Sequence, residues 1–126
     1  MVFEHFALNV DRIGDRINWY VDHIELEVMS RQTSSPYMTF LADSSGRVIL
    51  ELYHRSDELM TDFKRQHPLT FHLAFVSEDA EKDKERLLNA GASFEEEVNK
   101  EDGSKLVMLR DPWGMPLQLC QRTRKF

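Results

Sequence analysis

The chain has a single cysteine, Cys120, so no intramolecular disulfide can staple it. Basic charge is also scarce: 16 Lys and Arg stand against 22 Asp and Glu, a formal net charge of −6. Proteins that grip nucleic acid neutralise phosphates with an excess of Lys and Arg, so no nucleic-acid partner is expected. A small anion is still allowed, because a local site can differ from the average. No apolar run approaches the roughly 18 residues of a membrane span, and no membrane partner is expected. There is no signal-peptide pattern and no low-complexity segment, which makes the cytosol the expected location. What is there is ordinary for a globular protein: 41% hydrophobic and 30% charged residues. A length of 126 residues suits one domain, or two half-domains sharing a core.

The strongest signal is an internal repeat. The interval from His5 to His72 equals the interval from Glu51 to Gln118. The neighbours agree at the same spacing: Phe6 with Leu73, Ala7 with Ala74, Leu50 with Leu117, Leu52 with Leu119. A module over roughly residues 1–55, a connector over 56–68 and a second module over roughly 69–123 are therefore expected, together forming one domain.

Within the first module, Met1–Val10 alternates as a strand, with Phe3, His5, Ala7 and Asn9 on one face. Asp11 stands where a helix N-cap would. Ile13, Ile17, Tyr20, Val21 and Ile24 then form the stripe of an amphipathic helix. Leu26–Met29 reads as a short strand and Arg31–Pro36 as a loop. Tyr37–Leu41 and Arg47–Tyr53 read as strands around the Ala42–Gly46 turn. The second module repeats this order. Thr70–Val76 is a strand, with His72, Ala74 and Val76 on one face. A helix capped by Ser77 or Asp79 runs through Asn89, and Gly91 stands just past its end. Ala92–Val98 is a strand. Leu106–Leu109 and Leu117–Cys120 pair around Asp111-Pro112-Trp113-Gly114, where proline presets φ and glycine tolerates φ > 0. Both modules read as βαβββ, an α+β class. The polar connector carries Leu59, Met60 and Phe63 at a spacing that suits one or two helical turns.

Four polar residues set into these strands are the functional candidates. A lone strand histidine is more often a hydrogen-bonded structural residue than a ligand. Glu51 between Leu50 and Leu52 is harder to explain away, because a buried carboxylate must be paired, bound to a cation or protonated. Arg110 is one conceivable partner. Gln118 alone is weak, since an amide can satisfy itself on backbone groups. Two imidazoles, a carboxylate and an amide oxygen in register suit a divalent ion such as Zn, Ni, Co, Mn or Fe. Asn9 shares the face of His5, while Tyr53 and Cys120 lie two residues beyond Glu51 and Gln118. They are candidates for substrate contact. Trp113 suits a cap over the sheet end or a ligand platform. Cys120 on an apolar strand is more readily packing than a nucleophile. His23, His54 and His67 lack partner spacing and read as surface or interface residues.

Two modules of this kind resemble the vicinal oxygen chelate superfamily of glyoxalases, bleomycin-resistance proteins and extradiol dioxygenases. The resemblance rests on His5 in EHFALNV, Glu51 in VILELY, His72 in FHLAFV and the DPWGMPLQL segment, which looks like DP-x-G-x-x-x-E-L. It implies a curved mixed sheet around a cavity, lined by the faces of His5, Glu51, His72 and Gln118. It implies a homodimer, a divalent metal on those four residues, and a small oxygenated substrate. The implied reaction is that of a lyase or isomerase: proton abstraction next to a metal-bound carbonyl, with Glu51 as ligand and base. Gln118 departs from the pattern, which has Glu there. An amide is a poor base and brings no charge. Asn9 stands where glutathione binding would require a basic residue. A metal-free binding protein of the bleomycin-resistance type is the alternative, and an extradiol dioxygenase is a further, less favoured one.

Overall fold

The computed structural model describes residues 1–126. The chain divides into two compact units, Met1–Thr61 and Asp62–Phe126. In the first, β1 (Phe6–Asn9) is followed by α1 (Ile13–Ile24), β2 (Glu27–Arg31), β3 (Thr39–Ala42) and β4 (Val48–Tyr53). In the second, β5 (Leu73–Val76) is followed by α2 (Ala80–Asn89), β6 (Ser93–Asn99), β7 (Lys105–Arg110) and β8 (Pro116–Gln121). Each unit is a four-stranded mixed sheet with one helix, in the orders β1-β4-β3-β2 and β5-β8-β7-β6. The first strand pairs in parallel with the fourth, because the helix and two further strands intervene; the other pairs are antiparallel. This is the expected α+β class with two βαβββ modules. The segment between them holds two short 3-10 turns, Asp57–Leu59 and Phe63–Arg65.

The cores follow the apolar periodicity. Leu8, Val10, Leu41, Leu50 and Leu52 are buried in the first unit with Ile17, Trp19 and Tyr20 of α1. Burying an aliphatic side chain of this size contributes roughly 1.5–3 kcal/mol. Trp19 lies outside the expected stripe, and packs edge-on against Tyr20 at 5.4 Å between ring centroids. In the second unit Leu87, Val107, Leu109, Met115, Leu117 and Leu119 are buried. Glu81, Lys84, Glu97 and Lys105 form an ion-pair network between α2, β6 and β7, with N···O separations of 2.7–3.2 Å. Its lysines hold the Glu97 carboxyl down at about 2, the Lys84 hydrogen bond being the largest cause.

Three local expectations are corrected. Strand β1 begins at Phe6, where its pairing with Leu50 of β4 begins, and Met1–Glu4 are exposed. Asp11 does not cap α1. The N-cap is Arg12 in a left-handed conformation (φ 46°) with no side-chain bond to the helix. Arg16 takes the Asp11 carboxylate at 2.5 Å instead, a charge-assisted bond stronger than a neutral cap. The same bond holds the Asp11 carboxyl below its ordinary pKa. Strand β2 runs through Arg31, which was expected to open the following loop. In the second module, Asp79 is the cap, accepting the Lys82 amide at 3.1 Å, while Ser77 donates to Asp83 at 2.6 Å.

The repeat is visible in the register. Ala7 pairs with Glu51, and Ala74 pairs with Gln118. Across the neighbouring hairpins, Phe40 opposes Glu51 and Met108 opposes Gln118. The separation of Phe40 from Met108 exceeds that of Glu51 from Gln118 by a single position. The first hairpin therefore holds one extra residue, which a bulge absorbs where pairing steps from Leu41–Leu50 to Ala42–Val48. Both polar side chains thus keep the same face despite the insertion.

The turn before β8 is pinned from within. Buried Asp111 accepts the amides of Trp113 and Met115, each at 2.9 Å. Its own amide donates to Met115 O, and Gly114 donates back to Asp111 O. Gly114 has φ 92°, and a Cβ there would sit 3.0 Å from the Lys64 backbone nitrogen. The position therefore needs both the conformational freedom and the missing side chain.

Candidate functional site

In the first unit, His5 immediately precedes β1 and reaches Glu51 on β4. The His5 Nε2 to Glu51 Oε2 distance is 3.0 Å. Glu51 is only 8% exposed, so its partner is this imidazole. Arg110 is committed elsewhere: its guanidinium pairs with Glu95 and donates to the carbonyls of Phe63, Gln66 and Gly114. The His5 ring packs edge-on against Phe40, with centroids 5.3 Å apart. His5 Nδ1 lies 2.7 Å from Glu4 Oε2, yet it makes no directional hydrogen bond and is buried. The angle decides here, because a short contact off the N–H axis satisfies neither group well.

In the second unit, His72 holds the matching place before β5. Its Nδ1 lies 3.0 Å from Pro68 O. A carbonyl only accepts, so Nδ1 carries a proton, and in the neutral ring the lone pair is left on Nε2. That is the arrangement in which an imidazole serves as a metal ligand. Gln118 sits opposite Ala74 and Met108, half-buried, and its Oε1 accepts the Cys120 thiol at 3.3 Å.

The substrate-contact candidates fall into different roles. Asn9 uses its whole amide on the backbone after β4: Nδ2 donates to Ser56 O at 2.7 Å, and Oδ1 accepts the Arg55 amide at 2.8 Å. Tyr53 pairs with Asn9 across the parallel strands and is half-buried. Cys120 is buried. Trp113 is half-buried in the Asp111 turn. Of the remaining histidines, His54 contacts Val10 O at 2.7 Å, while His67 Nδ1 accepts the Leu69 amide at 3.1 Å. Glu4 and Phe40 around His5 were not foreseen. Phe40 was accessible in principle, through the strand pairing that puts it opposite Glu51.

The chemistry of the donors fits a divalent ion. Two cis ligands at about 2.1 Å from a metal stand about 3 Å apart, and His5 Nε2 and Glu51 Oε2 are 3.0 Å apart. No group of three or more His, Cys, Asp or Glu side chains lies close enough together to hold an ion. The His5–Glu51 pair by itself is short of the four to six donors that such ions take.

Residues 2–119 match the family model of the Glyoxalase/Bleomycin resistance protein/Dioxygenase superfamily. The chain belongs to this superfamily. Solved structures of the superfamily share its fold over nearly their whole length. A glyoxalase family protein from Bacillus cereus has a TM-score of 0.77 at 16% identity, with 95% of this chain and 93% of that one covered. A glyoxalase family protein from Enterococcus faecalis has a TM-score of 0.71 at 26% identity, covering 94% and 96%. TnmS3, an antibiotic binding protein from a Streptomyces species, has a TM-score of 0.73 at 18% identity, covering 98% and 97%. No curated protein matches the chain. Superfamily members bind small molecules, often carry a divalent metal and often form dimers. No helix of this chain is long and apolar enough to cross a membrane.

Proposed function

We propose that His5, Glu51, His72 and Gln118 are divalent-metal ligands, and that the protein is a glyoxalase-like lyase or isomerase of a small oxygenated substrate, working as a cytosolic homodimer. The observation that carries this reading is the His5–Glu51 pair with its buried carboxylate, together with the equivalent register positions of Glu51 and Gln118. A lone buried carboxylate would be costly by several kcal/mol, roughly, and an imidazole plus a cation offsets that.

A divalent ion, when bound, polarises a carbonyl and stabilises the charge that develops on its oxygen when the adjacent carbon loses a proton. Glu51 is the carboxylate that takes that proton. Without an ion, His5 Nε2 holds Glu51 Oε2 in place at 3.0 Å; with an ion bound, that nitrogen would give its lone pair to the metal instead. Phe40 covers the His5 ring and limits its movement. Pro68 O holds the His72 ring in one tautomer. Gln118 supplies an oxygen without charge, so the set carries one negative charge rather than two and holds a cation less tightly than a set with a second carboxylate.

A second reading has its own support. Gln118 Oε1 already accepts the Cys120 thiol, and TnmS3 is an antibiotic binding protein. Here the same residues are polar groups of a metal-free binding cavity. Elemental analysis of purified protein, before and after loading with zinc or nickel, separates the two. About one equivalent of metal per site, lost in Glu51→Ala and in His72→Ala, supports the metal-dependent enzyme. Absence of uptake by the folded wild type refutes it and leaves the binding protein.

A further inference from the structure

Arg110 closes β7, and its side chain is only 11% exposed. Nη1 donates to Phe63 O at 2.6 Å and to Gly114 O at 3.0 Å, Nη2 donates to Gln66 O at 2.9 Å, and Nε pairs with Glu95. A guanidinium presents its N–H donors in a fixed fork, and burying one is costly unless those donors are met. Glu95 alone would neutralise the charge; the carbonyls are what this position adds. Two of them, Phe63 O and Gln66 O, belong to the segment that leads into β5. Between the Phe63–Arg65 turn and Leu73 that segment has neither helix nor strand to hold it. Arg110 fastens it to the end of β7.

The fastened segment carries the group that orients His72. Pro68, two residues beyond Gln66, is buried, and its carbonyl accepts from His72 Nδ1 at 3.0 Å. The Phe63 ring packs on Phe71 with centroids 5.9 Å apart, and Phe71 adjoins His72. The guanidinium thus acts on the imidazole by two routes, one through backbone and one through rings. The first module has no such device: Met1–Glu4 are exposed, and His5 Nδ1 makes no hydrogen bond.

We infer that Arg110 is a positioning residue for His72. It clamps the Phe63–Pro68 segment so that Pro68 O keeps the neutral ring in its Nδ1–H tautomer, with Nε2 left open to a ligand. The clamp belongs to the metal-free chain; only its use, presenting Nε2 to a divalent ion, rests on the proposed function.

Long-range proton–nitrogen NMR of the histidine rings reads the tautomer in full-length, chelator-treated protein held above the ordinary histidine pKa. Wild-type His72 is expected as the Nδ1–H form. Arg110→Lys keeps the positive charge but cannot span the three carbonyls. It is expected to move His72 to the Nε2–H form or to a mixture of the two, with the amide spectrum reporting that the sheet is intact. Glu95→Gln removes the ion pair, leaves the carbonyl bonds, and is expected to keep the wild-type tautomer. In the wild type itself, separate resonances for the Arg110 Nη protons are expected, because carbonyl bonds on both Nη atoms stop the group rotating; this readout holds even where the lysine variant does not fold. A wild-type Nε2–H tautomer, averaged Nη protons, an unchanged His72 in folded Arg110→Lys, or a Glu95→Gln that shifts His72 as far as the lysine variant does, overturns the inference. Metal is absent throughout, so a protein that shows the clamp yet takes up no metal refutes the proposed function alone.

Discussion

Replacing Asp111 by alanine perturbs the turn that aims β8, and with it Gln118. Asp111 Oδ1 accepts two backbone amides, each at 2.9 Å. Met115 is 1% exposed, so its amide has no water to turn to. An unsatisfied buried donor costs about 1–3 kcal/mol, and bonds to a charged acceptor lie toward the upper end. Trp113 is half-buried, and its amide recovers part of its loss from solvent. Together these give a destabilisation of about 2–4 kcal/mol for Asp111→Ala. Asp111→Asn keeps an acceptor oxygen in the same place and is expected to cost less than about 1 kcal/mol. Urea unfolding of the three proteins, compared at midpoint with the m-value checked for constancy, measures both differences. An alanine variant within about 0.5 kcal/mol of wild type, or an asparagine variant as damaged as alanine, would refute the reasoning.

Gly114→Ala is expected to cost at least about 2 kcal/mol, because its left-handed φ is strained for an L residue. That φ is 92°, and the new Cβ would meet Lys64 backbone atoms at 3.0 and 3.1 Å; thermal unfolding checks this. The pH dependence follows from Glu97, whose folded pKa is depressed from 4.5 to about 2. A depressed carboxylate contributes stability that is present above its unfolded pKa and is lost as pH falls through its folded one. The stability difference between wild type and Glu97→Gln is therefore expected to be constant near neutrality and to shrink between pH 4.5 and 2. It is also expected to be reduced by salt, since the pairs are on the surface. Denaturant midpoints across that range would show a flat difference if the network were irrelevant.

Much of this molecule was readable in its sequence, because a duplication writes each signal twice. The interval from His5 to His72 reappears as identical strand register at Ala7–Glu51 and Ala74–Gln118. What escaped was decided by competition between neighbours. Asp11 has the chemistry of an N-cap, but a guanidinium one turn away binds it more strongly. Asp79 and Ser77 have equal claims on the next cap, and Asp83 decides between them by engaging the Ser77 hydroxyl. The bulges at Ile49 and Glu95 leave no local sequence mark, since either strand could have absorbed the extra residue. Arg110 looked available to Glu51, and only the folded chain shows its donors spent on Glu95 and three carbonyls.

X-ray absorption spectroscopy of the zinc-loaded protein tests the central claim most directly, because it counts ligands by type around the ion. Two imidazoles with oxygen donors at about 2.0–2.2 Å and no sulfur shell is the result predicted by ligation through His5, His72, Glu51 and Gln118. A single imidazole, a sulfur shell at about 2.3 Å that would implicate Cys120, or a folded protein that takes up no zinc would contradict it.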